Sequence, residues 1–241
     1  MKLKFLGFAL LAVCVCAVCC MCGSDSKTPD YEFPDGPDPD PDPQPGDYPA
    51  GLTVTEFTDD LGGGKQCLGF VAVADLKANP KLRFNAVHLP QQKTPSRIHA
   101  EFASANRGTA CVTINAGYWW AGNSLSLLVT GGAVKSIENQ TVTRNNQTVY
   151  PVRSSFGQMA SGGFETHWIY CVLDDGNKPY AFPSSLDNDE RTNTYMSAPP
   201  TSKTPGAVLW TPQEAVGGGP MLVKEGKNVC LLYTSPSPRD R

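Results

Sequence analysis

The sequence has few charged residues and no excess of basic ones, which excludes several classes of protein. Charged residues make up 18% of the 241 residues. The chain has 20 Lys and Arg and 23 Asp and Glu, which gives a formal net charge of −3. Nucleic-acid binding requires a basic surface that neutralises phosphates, so we predict no nucleic-acid partner. The 40% hydrophobic content excludes a wholly disordered chain, and the composition excludes a fibrous repeat or a polytopic membrane protein.

Cysteine is scarce in the part of the chain that is expected to fold. Of nine cysteines, five lie in the first 22 residues and one, Cys230, lies in an unusual tail. Cys67, Cys111 and Cys171 remain, each inside an apolar run and without Cys-x-x-Cys spacing. The pattern predicts no zinc site and indicates no cofactor. Either one disulfide or three buried free thiols would fit it.

The first 22 residues have the pattern of an export signal. Two lysines precede Phe5–Met21, an uncharged run that suits a signal peptide better than a membrane-spanning helix. Cys22 is followed by small and acidic residues, and this junction resembles the lipoprotein signals of Bacteroides-type bacteria. The resemblance implies diacylation of Cys22, with Cys20 or Cys19 as alternatives, and a place in the cell envelope, periplasmic or surface-exposed on the outer membrane. An uncleaved membrane anchor is the other interpretation.

A spacer follows at residues 23–50. This segment carries a net charge of −7, whereas residues 1–22 and 51–241 carry +2 each. It holds eight prolines between Pro29 and Pro49 and alternates Asp with Pro from Asp38 to Pro43. Proline restricts the backbone and the aspartates repel one another, so we expect an extended, solvated tether.

The last twelve residues, 230–241, differ from the rest of the chain. They closely resemble the conceptual translation of a sequencing adaptor, which implies that the natural domain is cut near Val229. A genuine Pro/Ser-rich tail is the alternative. We therefore assign residues 51–229 to a folded domain and expect it to be incomplete at its C-terminus.

The domain is predicted to be rich in strands. Turn residues separate apolar, β-branched segments, and Thr94 with Pro95 forms a helix start that we expect to end at Asn106–Gly108. The predicted strands cover Gln66–Asp75, Leu82–Leu89, Ala110–Ile114, Leu125–Val129, Ala133–Ile137, Val149–Gly157, Thr166–Leu173, Pro179–Phe182 and Ala207–Trp210. Ser184–Pro205 is predicted to be a loop. The expected fold is α+β, with mixed, mostly antiparallel β-sheets and flanking helices.

Three segments carry residues suited to binding a ligand. Asn115–Trp120 combines an amide, a glycine that permits close backbone approach, and aromatic faces for sugar rings. Arg153–Gly157 begins with arginine, the best side chain for bidentate capture of phosphate. Gly217–Val223 opens with three glycines and a proline, and no Gly-Lys-Ser/Thr follows, so it is not a nucleotide P-loop. Taken singly, each is more commonly structural.

Together and in this order, the three motifs resemble the phosphodiester glycosidase family, over roughly Gln66–Lys227. The resemblance implies an enzyme that hydrolyses a sugar-1-phosphodiester, with a carbohydrate or sugar phosphodiester as substrate. It places the following residues in the substrate cleft: Asn115, Gly117, Tyr118, Arg153, Gly217, Gly218, Gly219 and Pro220. Members of the family continue into an Asn-Leu-Asp-Gly-Gly-Gly-Ser motif that is missing here, so the expected catalytic carboxylates lie beyond the end of this chain.

Other carboxylates are weaker candidates for catalysis. They are Glu138, Glu165, Asp174, Asp175 and Glu214. Glu165 and His167 alternate on one strand and would either form an acid/base pair with each other or, more simply, pair at the surface with residues of the neighbouring strands. Asp174-Asp175-Gly176 is typical of a hairpin turn.

Two other functions remain open. The chain is either a surface glycan-binding lipoprotein that stacks sugars on Tyr118, Trp119 and Trp120, or a fragment that neither folds nor acts because its sheet edges stay uncovered.

Overall fold

A computed structural model describes residues 48–60, 66–88, 93–102, 108–120, 123–139, 141–144, 146–186, 196–219 and 221–229. The signal segment and almost all of the spacer lie outside these ranges, as do residues 230–241. None of the helices in the described residues is long and apolar enough to cross a membrane.

The chain divides into two compact units. The first comprises Met1–Arg83 with Lys93–Ile114, and the second comprises Phe84–Gln92 with Asn115–Arg241. The candidate site residues all belong to the second unit.

The first unit contains one long hairpin and one helix. Strands β1 (Leu52–Asp60) and β2 (Gln66–Ala74) pair antiparallel over nine residues. Gly69 lies directly against the ring of Phe57, where no side chain would fit. Helix α1 spans Pro95–Phe102, and the Thr94 hydroxyl accepts a hydrogen bond from the Arg97 N–H at 3.3 Å, which confirms the predicted helix start.

The second unit is built on a seven-stranded antiparallel sheet. Its spatial order is β12-β11-β10-β9-β13-β5-β6, and three two-stranded sheets accompany it. The strands of the large sheet are β5 (Leu128–Thr130), β6 (Ala133–Ser136), β9 (Arg153–Gln158), β10 (Phe164–Val172), β11 (Lys178–Phe182), β12 (Val208–Leu209) and β13 (Glu214–Gly217). The small sheets pair β3 (Trp119–Trp120) with β4 (Asn123–Ser124), β7 (Val142–Arg144) with β8 (Gln147–Val149), and β14 (Val223–Lys224) with β15 (Lys227–Asn228).

The sheet is covered on both faces around β10. Side chains of a strand point alternately to the two faces. Ile169 and Cys171 accordingly pack in one apolar cluster with Leu127 and Trp210, whereas Tyr170 packs in a second cluster. This burial on both faces explains why the C-terminal half of β10 is almost continuously apolar.

The structure is more β-rich than the predicted α+β fold. Every strand pairing in the described residues is antiparallel, so the predicted mixture of parallel and antiparallel strands is wrong for these residues. Several flanking helices were predicted, whereas α1 is the one α-helix in the described residues. Two predicted strands are also wrong. Residues 82–88 form no strand, and neither do residues 110–114, where Val112 and Ile114 are exposed rather than buried.

The described cysteines are free thiols. Cys171 is buried in the sheet, as predicted. Cys67 and Cys111 are only half-buried, which corrects the expectation of three buried thiols.

Candidate anion-binding site

The glycines of the first and third motifs meet in the second unit. Gly117 has a φ of 68°, and a Cβ on it would lie 3.0 Å from the Gly217 carbonyl oxygen and 2.9 Å from Ser126 Cβ. A Cβ on Gly217 would lie 2.7 Å from the Leu127 backbone nitrogen. Only glycine allows the two backbones to approach this closely.

The second motif is hydrogen-bonded to the third. Ser154 on β9 donates both its backbone N–H (3.1 Å) and its hydroxyl (2.8 Å) to the carbonyl oxygen of Gly219, and its own carbonyl accepts from the Gly218 N–H at 2.8 Å. These bonds continue the β9–β13 pairing beyond Gly217, the last residue of β13. They fix the glycine segment beside Arg153, the first residue of β9.

Tyr118 and Arg153 contact each other in the site, and the Arg153 side chain is 16% exposed. The guanidinium carbon of Arg153 lies 5.1 Å from the centre of the Tyr118 ring, a cation–π contact. Tyr118 is 41% exposed, and its backbone N–H donates to the Ser126 hydroxyl at 2.9 Å. The Tyr118 hydroxyl borders Gly219, where a Cβ would lie 2.9 Å from it. An anion at Arg153 would therefore lie beside an aromatic face.

Glu138 is the site residue whose role the sequence did not reveal. It follows β6, its side chain is fully buried, and its Oε1 accepts a hydrogen bond from Arg153 Nη1 at 2.9 Å. No described residue donates a hydrogen bond to its other carboxylate oxygen, Oε2. Burial raises the pKa of Glu138 to about 7, although the positive charge of Arg153 acts in the opposite direction.

The backbone of Glu138 is attached to the central strand β10. Its N–H donates to the Cys171 sulfur at 3.2 Å, and its carbonyl accepts from the Cys171 N–H at 2.6 Å. Burial raises the pKa of the Cys171 thiol to about 12, so the thiol stays neutral. The sequence offered one signal for Glu138: it is a carboxylate that directly follows the predicted strand Ala133–Ile137.

Two backbone amides of the glycine segment donate hydrogen bonds within the protein. The Gly217 N–H donates to the Leu127 carbonyl at 2.7 Å, and the Gly218 N–H donates to Ser154. These two amides are therefore not free to receive an anion. An anion in this site would have to be bound mainly by Arg153.

Several predicted contributors have no described side-chain contact in this geometry. Asn115 is exposed, and no hydrogen bond links it to the other described site residues. Pro220 lies outside the described residues, as does the lipidation residue Cys22. Trp119 and Trp120 form the short strand β3 next to Tyr118.

Glu165 and His167 are paired, as one interpretation of the sequence predicted. Glu165 Oε2 lies 3.1 Å from His167 Nε2 and also accepts a hydrogen bond from Trp210 Nε1 at 2.8 Å. The pair lines an open cavity of about 350 Å³ together with the β14–β15 hairpin. The bond to the buried Trp210 connects Glu165 to the core.

The remaining candidate carboxylates have structural roles. Asp174 accepts hydrogen bonds from Ser202, and Asp175 accepts from Lys178 and Tyr180, in the connection between β10 and β11. This confirms the predicted turn. Glu214 on β13 accepts from two backbone N–H groups, those of Ala86 and Gly131.

Comparison with known proteins adds no assignment: no family model, no curated protein and no solved structure matches the chain.

Proposed function

We propose that the chain is an exported, lipid-anchored hydrolase that cleaves a sugar-1-phosphodiester bond in a glycan or exopolysaccharide. The observation that supports this best is that Gly117–Tyr118, Arg153–Ser154 and Gly217–Gly219 lie together at the start of β9, where the Tyr118 ring contacts the Arg153 guanidinium. These are the three motifs that resemble the phosphodiester glycosidases.

The chemistry of the site fits the two parts of such a substrate. The guanidinium of Arg153 has N–H donors beyond the one used by Glu138, and arginine binds phosphate oxygens through two parallel hydrogen bonds. The exposed ring of Tyr118 offers a flat apolar face to a sugar ring. When the bond between sugar and phosphate breaks, negative charge develops on the phosphate, where Arg153 would stabilise it.

Arg153 and Tyr118 bind and orient the substrate in this proposal, and Glu138 does not touch it. A fully buried carboxylate cannot reach a sugar at the surface.

A test of the proposal is turnover of a defined phosphodiester. The protein expressed from its full-length gene is incubated with the methyl diester of N-acetylglucosamine-1-phosphate, and free sugar and methyl phosphate are quantified. We expect both products, with kcat/KM lowered about 10–100-fold by Arg153→Lys, because lysine cannot form the paired hydrogen bonds. Arg97→Lys, on the exposed helix α1, is the matched control and should leave turnover unchanged.

One observation favours a second candidate, a glycan-binding surface lipoprotein without catalysis. Glycoside hydrolysis usually uses two carboxylates flanking the scissile bond. Glu138, the carboxylate that contacts Arg153, is fully buried. Saturable binding of the phosphodiester without any product, weakened by Tyr118→Ala, would favour this candidate over the hydrolase.

A further inference from the structure

The position of the Arg153 guanidinium depends on one buried carboxylate. Glu138 Oε1 accepts from Arg153 Nη1 at 2.9 Å, and two hydrogen bonds with Cys171 fix the backbone of Glu138 against β10. The guanidinium is therefore held between a fully buried anchor on one side and the exposed ring of Tyr118 on the other.

The same carboxylate has a place for a proton. Glu138 Oε2 is buried and receives no hydrogen bond from a described residue, which is costly for an ionised oxygen. A protonated Oε2 would be a neutral hydroxyl, and only Oε1 would still accept from Arg153. Protonation of Glu138 therefore removes the negative charge from the buried carboxyl and keeps the hydrogen bond between Oε1 and Arg153.

Among the described charged and titratable groups that surround the Glu138 carboxyl, the carboxyl itself is the one whose charge changes near neutral pH. Arg153 stays positive. The Cys171 thiol and the Tyr170 phenol, both from β10, have pKa values that burial raises to about 12, so they stay neutral. Glu138 itself has a pKa of about 7.

We propose that Glu138 is a positioning residue for Arg153 and that its protonation sets the charge offered to an anion, so that a phosphodiester binds together with one proton. The choice of ligand rests on the proposed function. With Glu138 protonated, the pair carries one positive charge. With Glu138 ionised, the pair is neutral and attracts the phosphate less strongly.

The direction of the pH effect follows from linkage. Because the ligand prefers the protonated pair, its affinity is highest below pH 7 and falls as the pH rises through the pKa of Glu138. If one proton binds with each ligand, the affinity changes by at most about tenfold per pH unit. A phosphodiester keeps the same charge over this range, so its own titration contributes nothing.

The test is calorimetric titration of the full chain with the methyl diester of N-acetylglucosamine-1-phosphate between pH 5.5 and 8.5. Each pH is measured in two buffers of different ionisation enthalpy, which counts the protons taken up. We expect uptake approaching one proton above pH 7 and an affinity that falls by up to about tenfold per pH unit. Glu138→Gln should give a flat profile with no proton uptake, and Glu56→Gln, on the exposed strand β1, should behave like wild type.

The wild-type measurement stands even if Glu138→Gln does not fold. A flat wild-type profile, binding without proton uptake, or no binding at any pH would overturn the proposal. So would a pH profile that Glu138→Gln retains. Product release, measured separately, tests the proposed hydrolase. Proton-linked binding without products would contradict the hydrolase and support this inference. Products without proton uptake would support the hydrolase and contradict this inference.

Discussion

At the scale of single residues, the site combines close backbone contacts with one buried charge pair. Glycine at position 217 is required by contact with a neighbouring backbone, and Glu138 is held by Arg153 and Cys171. Breaking a buried pair is costly because it leaves the partner charge unpaired. These residues should therefore affect stability as well as binding.

The free energy of unfolding should depend on pH through Glu138. Its pKa is raised in the folded chain from 4.5 to about 7, so the folded chain binds this proton more tightly than the unfolded chain does. Stability from this group is present at low pH and is lost as the pH rises from 4.5 towards 7, by a total of about 3 kcal/mol. Urea denaturation of wild type and Glu138→Gln at pH 5 and pH 7.5 measures it. Equal pH dependence in the two proteins would contradict the prediction.

Alanine substitutions at two adjacent glycines should differ sharply. A Cβ on Gly217 would lie 2.7 Å from the Leu127 backbone nitrogen, whereas the nearest atom to a Cβ on Gly218 is Ser154 Oγ at 3.8 Å. Neither glycine has a positive φ, so the comparison isolates the steric effect. We expect Gly217→Ala to lower the free energy of unfolding by about 1–3 kcal/mol and Gly218→Ala to change it by less than about 0.5 kcal/mol. Thermal denaturation distinguishes them, and similar losses would disprove the close contact.

At the scale of elements, β9 and β13 bring the motifs together. β9 pairs with β10 on one side and with β13 on the other, so Ser155 faces Gly217 in register. The Arg-Ser-Ser-Phe-Gly segment was correctly predicted as a strand because it continues an apolar, β-branched run. β13 was not predicted, since the glycine run that begins at its last residue indicated a loop, and pairing on both sides of β13 overrides that local preference.

Two neighbouring serines on β9 should respond oppositely to alanine. The Ser154 hydroxyl donates to Gly219, whereas the Ser155 hydroxyl is buried with no hydrogen-bond partner among the described residues. Ser154→Ala should cost about 0.5–1.5 kcal/mol, and Ser155→Ala should be neutral or stabilising, because it removes an unsatisfied polar group. Chemical denaturation of both variants checks this. Destabilisation by Ser155→Ala would show that its hydroxyl has a partner.

At the scale of the whole molecule, the sequence grouped segments that are neighbours in the structure but did not show the contacts that join them. The order of the motifs identified Gly117, Tyr118, Arg153 and the glycine segment, and the structure brings these together. The sequence named Glu138 among several carboxylates but could not show its role, because nothing local distinguishes a carboxylate that pairs across 15 positions with an arginine. Residues 110–114, of which Val112 and Ile114 are exposed, were wrongly predicted as a buried strand, since β-branched composition does not report burial.

Lipid attachment is a prediction about the whole exported chain. Expressed in a Bacteroides-type host with a labelled fatty acid, the wild-type protein should carry the label in the membrane fraction. Cys22→Ala should abolish labelling, and Cys67→Ala is the matched control. Labelling that survives Cys22→Ala and is lost with Cys20→Ala or Cys19→Ala would move the attachment point, and an unlabelled wild type would contradict the prediction.

The central claim is that three distant segments form one site that recognises the phosphate of a sugar phosphodiester through Arg153. The most direct test compares the affinities of the full chain for the methyl diester of N-acetylglucosamine-1-phosphate and for uncharged methyl N-acetylglucosaminide, by calorimetry at pH 6. We expect the phosphodiester to bind at least about tenfold more tightly than the uncharged glycoside, as is usual for a charged hydrogen-bonded contact. Arg153→Ala should remove this difference in affinity. Equal affinities in the wild type, or a preference that survives Arg153→Ala, would contradict it.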